Sequence, residues 1–564
     1  MTAGNHAVFK VLFCFALAVV TARAASQPTR AGEVAFNHPG GFCPSAFTLA
    51  LTAPEENTTI YYTTNGDDPQ SATASRYVRP IEVATTTIVR AAAFDARTNL
   101  AGTGTRTFLF VADVLKQTGA QFPKTWGTNQ GKPVSAYYGM TTANEENADA
   151  RQTVAAGLQA IATLSIIANP ADLFASETGI YTHPLERGVG WERQVSLEMF
   201  DADGRLAFQC GGGLRIHGGT SRQPEESPKH SFRLDFKKRY GPARLQFPMF
   251  GAGGAQEFDT LVLRAGNNDS WLSSKGEERR RADYLRDEWM RRSMSDMGHP
   301  SARGRFVHLY LNGLYWGVYN LCEQPGPDLL AGDPTNAATE FDVRKAAKTE
   351  AGDESAWNKM MTLANAGVND DRSYEEIGRY LDLPELVDYL ILNFYTGNSD
   401  WDRSANWYAI RPRTPGGRFQ FLVWDAECTL GNLEADMLDF DDDESPPRLF
   451  HKLSENAAFR KLFATRARQI LFNDGPLAPE KSAERYQALA GSVASALTAE
   501  AARWGNYRRD VQPYKTGPYE SYTVAKHWQP EVNRILTQYF PQRRGVLVNQ
   551  FRERGLFADQ VAEP

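Results

Sequence analysis

Two stretches decide the reading of this chain: Asn398-Ser399-Asp400-Trp401-Asp402-Arg403-Ser404-Ala405-Asn406 and, about twenty residues further on, Val423-Trp424-Asp425-Ala426-Glu427-Cys428-Thr429-Leu430-Gly431. Each sets carboxylates beside apolar, strand-like residues, and the first adds a carboxamide. Oxygen donors of this kind suit Mg²⁺, and a carboxylate next to a reacting hydroxyl can accept its proton. The order is informative as well: an Asp and a following Asn on a loop, then a second Asp ahead of a glycine. Phosphoryl-transfer sites are assembled in that order, the second Asp and the Asn serving a metal that neutralises phosphate charge. On this reading Asp402 or Asp400 is the proton acceptor, and Asp425, Asn406 and Glu427 are candidate metal ligands.

Phosphate chemistry also needs cations and close backbone approach, and both occur upstream. Gly213-Leu214-Arg215-Ile216-His217 alternates like a strand and opens into Gly218-Gly219-Thr220-Ser221-Arg222, whose small residues allow the main chain to come near a phosphate. Lys229-His230-Ser231-Phe232-Arg233-Leu234-Asp235-Phe236 is a second alternating strand. It places Lys229, Ser231, Arg233 and Asp235 on one face and the apolar residues on the other. Lys229 is the candidate phosphate contact, with Arg215, Arg222 and Arg233 as rivals. A helix is expected from Glu277 through Arg292, with Leu285, Trp289 and Met290 as its apolar seam and its arginines on a solvated face. Either Asp287 or Glu288 can serve as the helix carboxylate that orients a phosphate-binding cation. Asn312-Gly313 marks a hairpin whose second strand ends at Cys322-Glu323-Gln324-Pro325, making Glu323 a candidate contact where a nucleotide base would meet a linker between lobes.

These motifs, together with Tyr284-Leu285-Arg286-Asp287-Glu288 and Val307-His308-Leu309-Tyr310-Leu311-Asn312-Gly313-Leu314-Tyr315-Trp316-Gly317-Val318-Tyr319, resemble the CotH family of spore-coat-type atypical kinases over residues 160 to 435. The resemblance implies an α+β protein-kinase-like domain using ATP with Mg²⁺, or Mn²⁺, to phosphorylate a hydroxyl on a protein such as a coat or surface protein. It supports Asp402 and Asp425 most directly. The chain departs from ordinary kinase signatures in having no His-Arg-Asp, in carrying Trp-Asp-Ala-Glu where Asp-Phe-Gly is usual, and in placing Glu427 where relatives carry a second Asp.

Residues 33–112 read as an all-β sandwich: Ala46–Leu51, Thr58–Thr64 and Thr86–Phe94 as strands, with Asn65-Gly66-Asp67-Asp68-Pro69 as turn chemistry. Ile60 through Pro69 and Pro80-Ile81 resemble the chitobiase C-terminal-type immunoglobulin-like module, which implies a spacer or a weak polysaccharide contact. Tyr61 and Tyr62 point to opposite faces, so one at most is available to a ligand. Residues 113–160 form a polar connector, 161–470 the kinase-like domain and 471–564 its helical C-terminal extension.

At 564 residues the chain exceeds one ordinary core, and its composition, 42% hydrophobic and 23% charged with net charge -6, is globular. No basic block favours nucleic acid. Lys10, the apolar run Val11–Val20 and Ala22-Arg23-Ala24-Ala25 read as a secretory signal peptide over residues 1–25, cleaved near Ala24-Ala25. The mature chain is therefore expected in the periplasm, at the cell surface or secreted, with no transmembrane segment. The sparse cysteines read as unpaired thiols, and the acidic run Asp436–Glu444 as a solvated loop. Two other functions stay open: a non-catalytic structural or adhesive pseudokinase, and a glycosidase using Asp402 and Asp425 with Trp401, Trp407 and Trp424 as sugar platforms.

Overall fold

The computed structural model describes residues 33–557 except 98, 142–147, 252–253, 328, 330–339 and 403–404. The leader reading of residues 1–25 falls outside them.

The first module is built from short alternating strands, as the turn chemistry predicts. A five-stranded sheet has the order Gly41–Phe42, Leu100–Leu109, Thr87–Phe94, Thr59–Thr63, Ser75–Arg76, and two short pairs, Phe47–Leu49 with Ile81–Val83 and Ala35–Phe36 with Leu51–Thr52, complete the unit. Inward-facing Leu49, Ile60, Val83, Val89, Ala91 and Phe108 fill its core. Tyr61 is exposed, whereas Tyr62 packs against that core.

The connector carries more order than its polar composition suggests. It contains the hairpin Thr125–Asn129/Lys132–Ser135 and the helix Ala148–Gly157, and Trp126, Val134 and Tyr138 pack into the core of the next unit. That unit is a closed seven-stranded barrel in the order Thr163–Ala168, Arg193–Phe200, Leu206–His217, Ser231–Asp235, Thr260–Arg264, Leu314–Glu323, Gly304–Leu311. Every neighbouring pair is antiparallel except the closing one, where Thr163–Ala168 runs parallel to Gly304–Leu311. Leu214, Ile216, Phe232, Leu234, Leu261 and Leu263 point into the barrel. By alternation Arg215, His217, Arg233, Val262 and Arg264 then stand on its outer surface.

That outer surface packs on a four-stranded sheet ordered Lys348–Ala351, Phe341–Lys345, Trp407–Pro412, Gln420–Val423. Val262 and Cys322 from the barrel meet Val343, Tyr408, Leu422 and Trp424 from the sheet in a small apolar cluster that joins the two lobes. Beneath the sheet lies a large helical core, with Leu386, Val387, Leu390 and Phe394 of the helix Leu383–Thr396 at its centre. Asp382 caps this helix by accepting the Glu385 amide, and Gly397 in left-handed conformation (φ 60°) ends it, releasing the chain at Asn398. The fold class is thus the expected one, a β-sandwich followed by a mixed α/β unit with helices toward the C-terminus.

Two local expectations are corrected. The single helix drawn over 277–292 is two, Gly276–Arg280 and Arg286–Asp296, because Tyr284 takes a left-handed conformation (φ 66°) while the Asp283 carboxylate accepts the Leu285 amide at 2.7 Å. Its arginines divide, with Arg280 and Arg281 exposed as expected and the rest drawn inward to differing degrees. Arg279, Arg286 and Arg291 are buried; Arg286 pairs with Asp283 and Glu531, Arg291 with Asp287 and Glu288, and Arg279 donates to the carbonyls of Ser273 and Pro518. Charge alone does not expose a side chain when carboxylates and carbonyls from other segments converge on it.

The run 436–444 is likewise not simply solvated: Arg448 pairs with Asp441 and Asp443, Arg554 with Asp436 and Asp439, and Arg344 with Glu444. Cys43, Cys322 and Cys428 are thiols, not disulfides. Among the described residues no helix is long and apolar enough to cross a membrane.

Candidate functional site

The two motifs that opened the sequence reading meet where the barrel faces the sheet. Asp425 follows the strand Gln420–Val423 and adopts a left-handed backbone (φ 59°), which turns the chain sharply beneath the barrel. Its side chain stays 44% exposed while one oxygen pairs with Arg264 at the end of the barrel strand Thr260–Arg264. Arg264 is nearly buried, and its Nε also reaches Asp287 Oδ2 at 3.2 Å on the helix Arg286–Asp296. Burial opposes the charge on Arg264, but Asp287, Asp425 and Glu427 more than offset it and hold the guanidinium charged. For Asp287, burial likewise works against ionisation, and Arg264 and Arg291 outweigh it to keep the carboxyl below its usual range. Asp287 also accepts the Ala426 amide at 3.0 Å, so it fixes both the arginine and the backbone beside Asp425.

Asp400 lies alongside, half-buried. Burial and the nearby charges of Asp425 and Asp402 raise its carboxyl above the ordinary range. Asn406, left-handed at φ 71°, donates its Nδ2 to the Asp400 carbonyl at 2.8 Å, leaving its amide oxygen uncommitted to that bond. Asp402 is half-buried, and its carbonyl accepts Trp407 Nε1 at 2.7 Å. Cys428 Sγ is 3.9 Å from Asp400 Oδ2, and burial and the Asp400 charge push the thiol far above its usual range, so it is not a ready nucleophile.

Glu427, a candidate metal ligand by sequence, is already committed. It is buried; Oε1 accepts Arg264 Nη2 at 2.8 Å, and Oε2 accepts the amides of Asn267 at 2.8 Å, Asn268 at 2.7 Å and Asp269 at 3.3 Å. These bonds give Glu427 the role of an anchor between the 267–269 loop and Arg264, with no oxygen turned to a metal.

Lys229 is placed elsewhere too. It precedes the strand Ser231–Asp235 and is 1% exposed. Its ammonium donates to Glu500 Oε1 at 2.7 Å and to the Val318 carbonyl at 2.6 Å, above the ring of Tyr319. Gly317, at φ 124°, makes this possible, since a Cβ there would sit 2.5 Å from Glu500 Oε2. The pair ties the helix Ala496–Trp504 to the barrel, and with its side chain fully buried Lys229 is closed off from a phosphate.

The other cations named from sequence do converge. Arg215, Arg222 and Arg233 line a cavity of about 270 Å³ with His217 and Gly218, joined by Arg187, Lys345 and Lys348, and Glu186 is the lone carboxylate in its lining. Arg215 and Arg233 share Asp235, while Arg222 is spent mostly on the carbonyls of Pro184 at 2.7 Å and Glu186 at 2.8 Å. Burial and the surrounding Lys345, Arg264, Arg233 and Arg222 drive His217 well below its ordinary range, a measure of how positive this space is. The His217 ring meets Trp424 edge-on at 6.5 Å, which puts the cavity next to Asp425. Lys345 carries the same message: burial lowers it and Asp425 partly restores it.

Glu323 ends its strand away from this cavity. It is buried, its Oε2 accepts the Arg303 amide at 2.7 Å, and its own amide donates to the Arg303 carbonyl. Burial pushes its carboxyl up to about 7. Its amide and Oε2 are thus committed to the Arg303 backbone.

The sequence missed Arg264, Lys345, Lys348 and Arg187. Arg264 had a signal, a cation ending the apolar strand Thr260-Leu261-Val262-Leu263 ahead of a glycine, but nothing local distinguishes the other three from surface charges. The sugar-platform reading fails on burial, since Trp401 and Trp407 are fully buried and Trp424 is 2% exposed.

A metal is consistent with the donor set. Among the described residues no three carboxylate, imidazole or thiolate groups converge on one point. Mg²⁺ commonly needs only one or two carboxylates, with phosphate and water oxygens completing its octahedron, and Asp425 with the Asn406 amide oxygen fits that use.

Two family models match the chain: one described as CotH kinase protein over residues 214–547, and one described as the chitobiase/beta-hexosaminidase C-terminal domain over residues 38–105. A search of curated proteins returned no match.

Proposed function

The chain belongs to the CotH kinase protein family, and from that premise we propose that it transfers the γ-phosphate of Mg-ATP to a hydroxyl on a protein. The observation that carries the proposal is the continuous set of contacts Asp287–Arg264–Asp425, with Asp400 and Asn406 beside it and a cation-lined cavity next door. Kinases hold a phosphate-binding cation by a helix carboxylate and face it with a metal-binding Asp. Here Arg264 takes the place of the cation and Asp287 that of the helix carboxylate.

Asp425 and Asn406 would hold Mg²⁺, which when bound would neutralise phosphate charge. Arg264, fixed by Asp287 and Glu427, points a permanent charge at the same place and loses little entropy in doing so, because its fork is already locked. Lys345 and Arg233 hold the remaining anionic oxygens. Asp400 takes the proton from the incoming hydroxyl. Its raised proton affinity, from burial and the neighbouring carboxylates, suits a base working nearer neutrality than a solvated Asp would. The proposal includes export, which rests on residues 1–25, and it leaves the sandwich as a spacer with Tyr61 as its exposed aromatic.

The test is transfer of labelled γ-phosphate by the mature chain, with Asp425→Ala and Asp400→Asn beside wild type. Label on protein that disappears in both variants, while Asp400→Asn still binds Mg-ATP, supports the assignment. Folded wild type that binds Mg-ATP without transferring it points to a pseudokinase. No binding under Mg²⁺ or Mn²⁺ removes the nucleotide reading altogether.

A further inference from the structure

A second recess, of about 400 Å³, opens on the other side of the helix that carries Asp287. Its walls are Glu288, Arg291 and Arg292 from the helix Arg286–Asp296, Arg303 and Arg305 from the approach to and start of the strand Gly304–Leu311, and Met249 and Phe250 at its floor. Four arginines face one glutamate, and the glutamate is already taken: Glu288 accepts Arg292 Nε at 2.7 Å and pairs with Arg291 Nη2 at 2.8 Å.

Arg305 is the telling residue. On its strand it shares a face with Val307, Leu309 and Leu311, which fill the barrel, so it sits at the barrel's open end. Its guanidinium makes one long bond, to the Met249 carbonyl at 3.4 Å, and forms no ion pair among the described residues. Burial lowers its proton affinity, with only Asp201 acting in the opposite sense. A guanidinium carries five donors, and Arg305 is half-buried with one long protein contact, so the donors left over stand toward the recess, where a ligand's acceptors can meet them.

We propose that this recess binds a phosphate monoester and that occupancy is felt at the nucleotide site through Arg291. The monoester's charge and three acceptor oxygens answer Arg305 and Arg292, and the small apolar floor accepts a short stem. The link is geometric. Arg291 is 1% exposed and bridges both sides of the helix, with Nε on Asp287 Oδ2 at 3.0 Å and Nη2 on Glu288. An anion that draws Arg292 away from Glu288 leaves Glu288 a stronger partner for Arg291, which loosens Arg291 from Asp287 and frees that carboxylate for Arg264. The binding site stands on its own observations, whereas the coupling rests on the proposed kinase function.

The experiment is calorimetric titration of the full mature chain with two probes, a phosphoserine hexapeptide and glycerol 3-phosphate, against wild type, Arg305→Gln, Arg292→Gln and the pair Lys345→Gln/Lys348→Gln in the first cavity. The expected result is saturable binding weakened about tenfold or more by either recess variant and retained by the lysine pair, as the loss of a charge-assisted contact demands. Tighter binding of the peptide assigns the monoester to a protein, and equal or tighter binding of glycerol 3-phosphate assigns it to a small molecule. Binding that survives both recess variants, that vanishes with the lysine pair, or that is absent from folded wild type overturns the site. The coupling is read separately as a change of about fivefold or more in Mg-ADP affinity on saturation with the tighter probe. An unchanged affinity refutes the link. Mg-ADP that does not bind at all counts against the coupling and the kinase reading, while the monoester titration still stands.

Discussion

Glu427 and Asp425 stand two residues apart in one motif, yet the structure assigns them opposite costs on mutation. Replacing Glu427 by Ala removes an acceptor from Arg264 and from the amides of Asn267, Asn268 and Asp269, all in a buried setting. Breaking one partner out of a buried ion pair costs about 3–5 kcal/mol, because the remaining charge and donors stay desolvated. The long Asp269 contact adds little, so about 4 kcal/mol is the expected loss. With a urea slope of about 2–3 kcal/mol/M for the unit that unfolds, the midpoint falls by roughly 1.3–2 M. Asp425→Asn removes a carboxylate that is 44% exposed and keeps an amide oxygen facing Arg264. Solvent screening limits its stability cost to about 1 kcal/mol or less, while Mg-ATP binding should be lost. Tryptophan fluorescence in urea, with Mg-ATP titration on the same preparations, reads both effects. If Glu427→Ala unfolds at the wild-type midpoint but loses only its metal requirement, Glu427 is a metal ligand and the anchoring argument is wrong.

Lys229→Met should destabilise the barrel–helix contact by about 3–5 kcal/mol through the stranded Glu500, and the double variant Lys229→Met/Glu500→Leu should recover much of that loss; a urea double-mutant cycle with purely additive terms would refute the buried pair. Lys345→Gln/Lys348→Gln should weaken Mg-ATP binding at least about tenfold, more so at low salt, with the unfolding midpoint nearly unchanged, and equal affinity at all salt concentrations would remove these lysines from the site. Glu198 offers a pH test at the junction of the two modules. It is fully buried, its Oε2 accepts the Thr107 amide at 2.8 Å, and burial pushes it up to about 7. A raised carboxyl binds its proton more tightly folded than unfolded, so its stabilisation is full below pH 4.5 and drains away as pH rises toward 7, by an amount on the order of 1–3 kcal/mol. Glu198→Gln should flatten that slope between pH 5 and 7.5 in chemical denaturation, and an identical slope in both proteins would contradict it.

Much of the architecture was legible because it depends on short-range rules. Alternation placed Arg215 and Arg233 on the outer face of the barrel, opposite Leu214 and Phe232, and Asn-Gly at 312–313 gave the hairpin. Leu386, Leu390 and Phe394 recur at helical spacing, and the buried helix Leu383–Thr396 that ends just before Asn398 follows that period. The single helix drawn through Tyr284 failed where tertiary contacts intervened. Asp283 and Asp269 accept backbone amides there and break a pattern that local propensity would have continued.

The chain by itself named the oxygen donors worth examining, since Asp400, Asp402, Asn406, Asp425 and Glu427 fall in two motifs about twenty residues apart. It also determined that a glycine turn and a set of cations stand on the facing strands. Which cation stands beside Asp425 was decided only in three dimensions. Arg264 meets Asp425 across 161 residues, and Lys229 is withdrawn by Glu500 across 271. Strand periodicity states which face a side chain takes, but not what another segment brings to that face. A buried charge is governed by the partner that desolvates with it, and that partner is known only when the chain has closed.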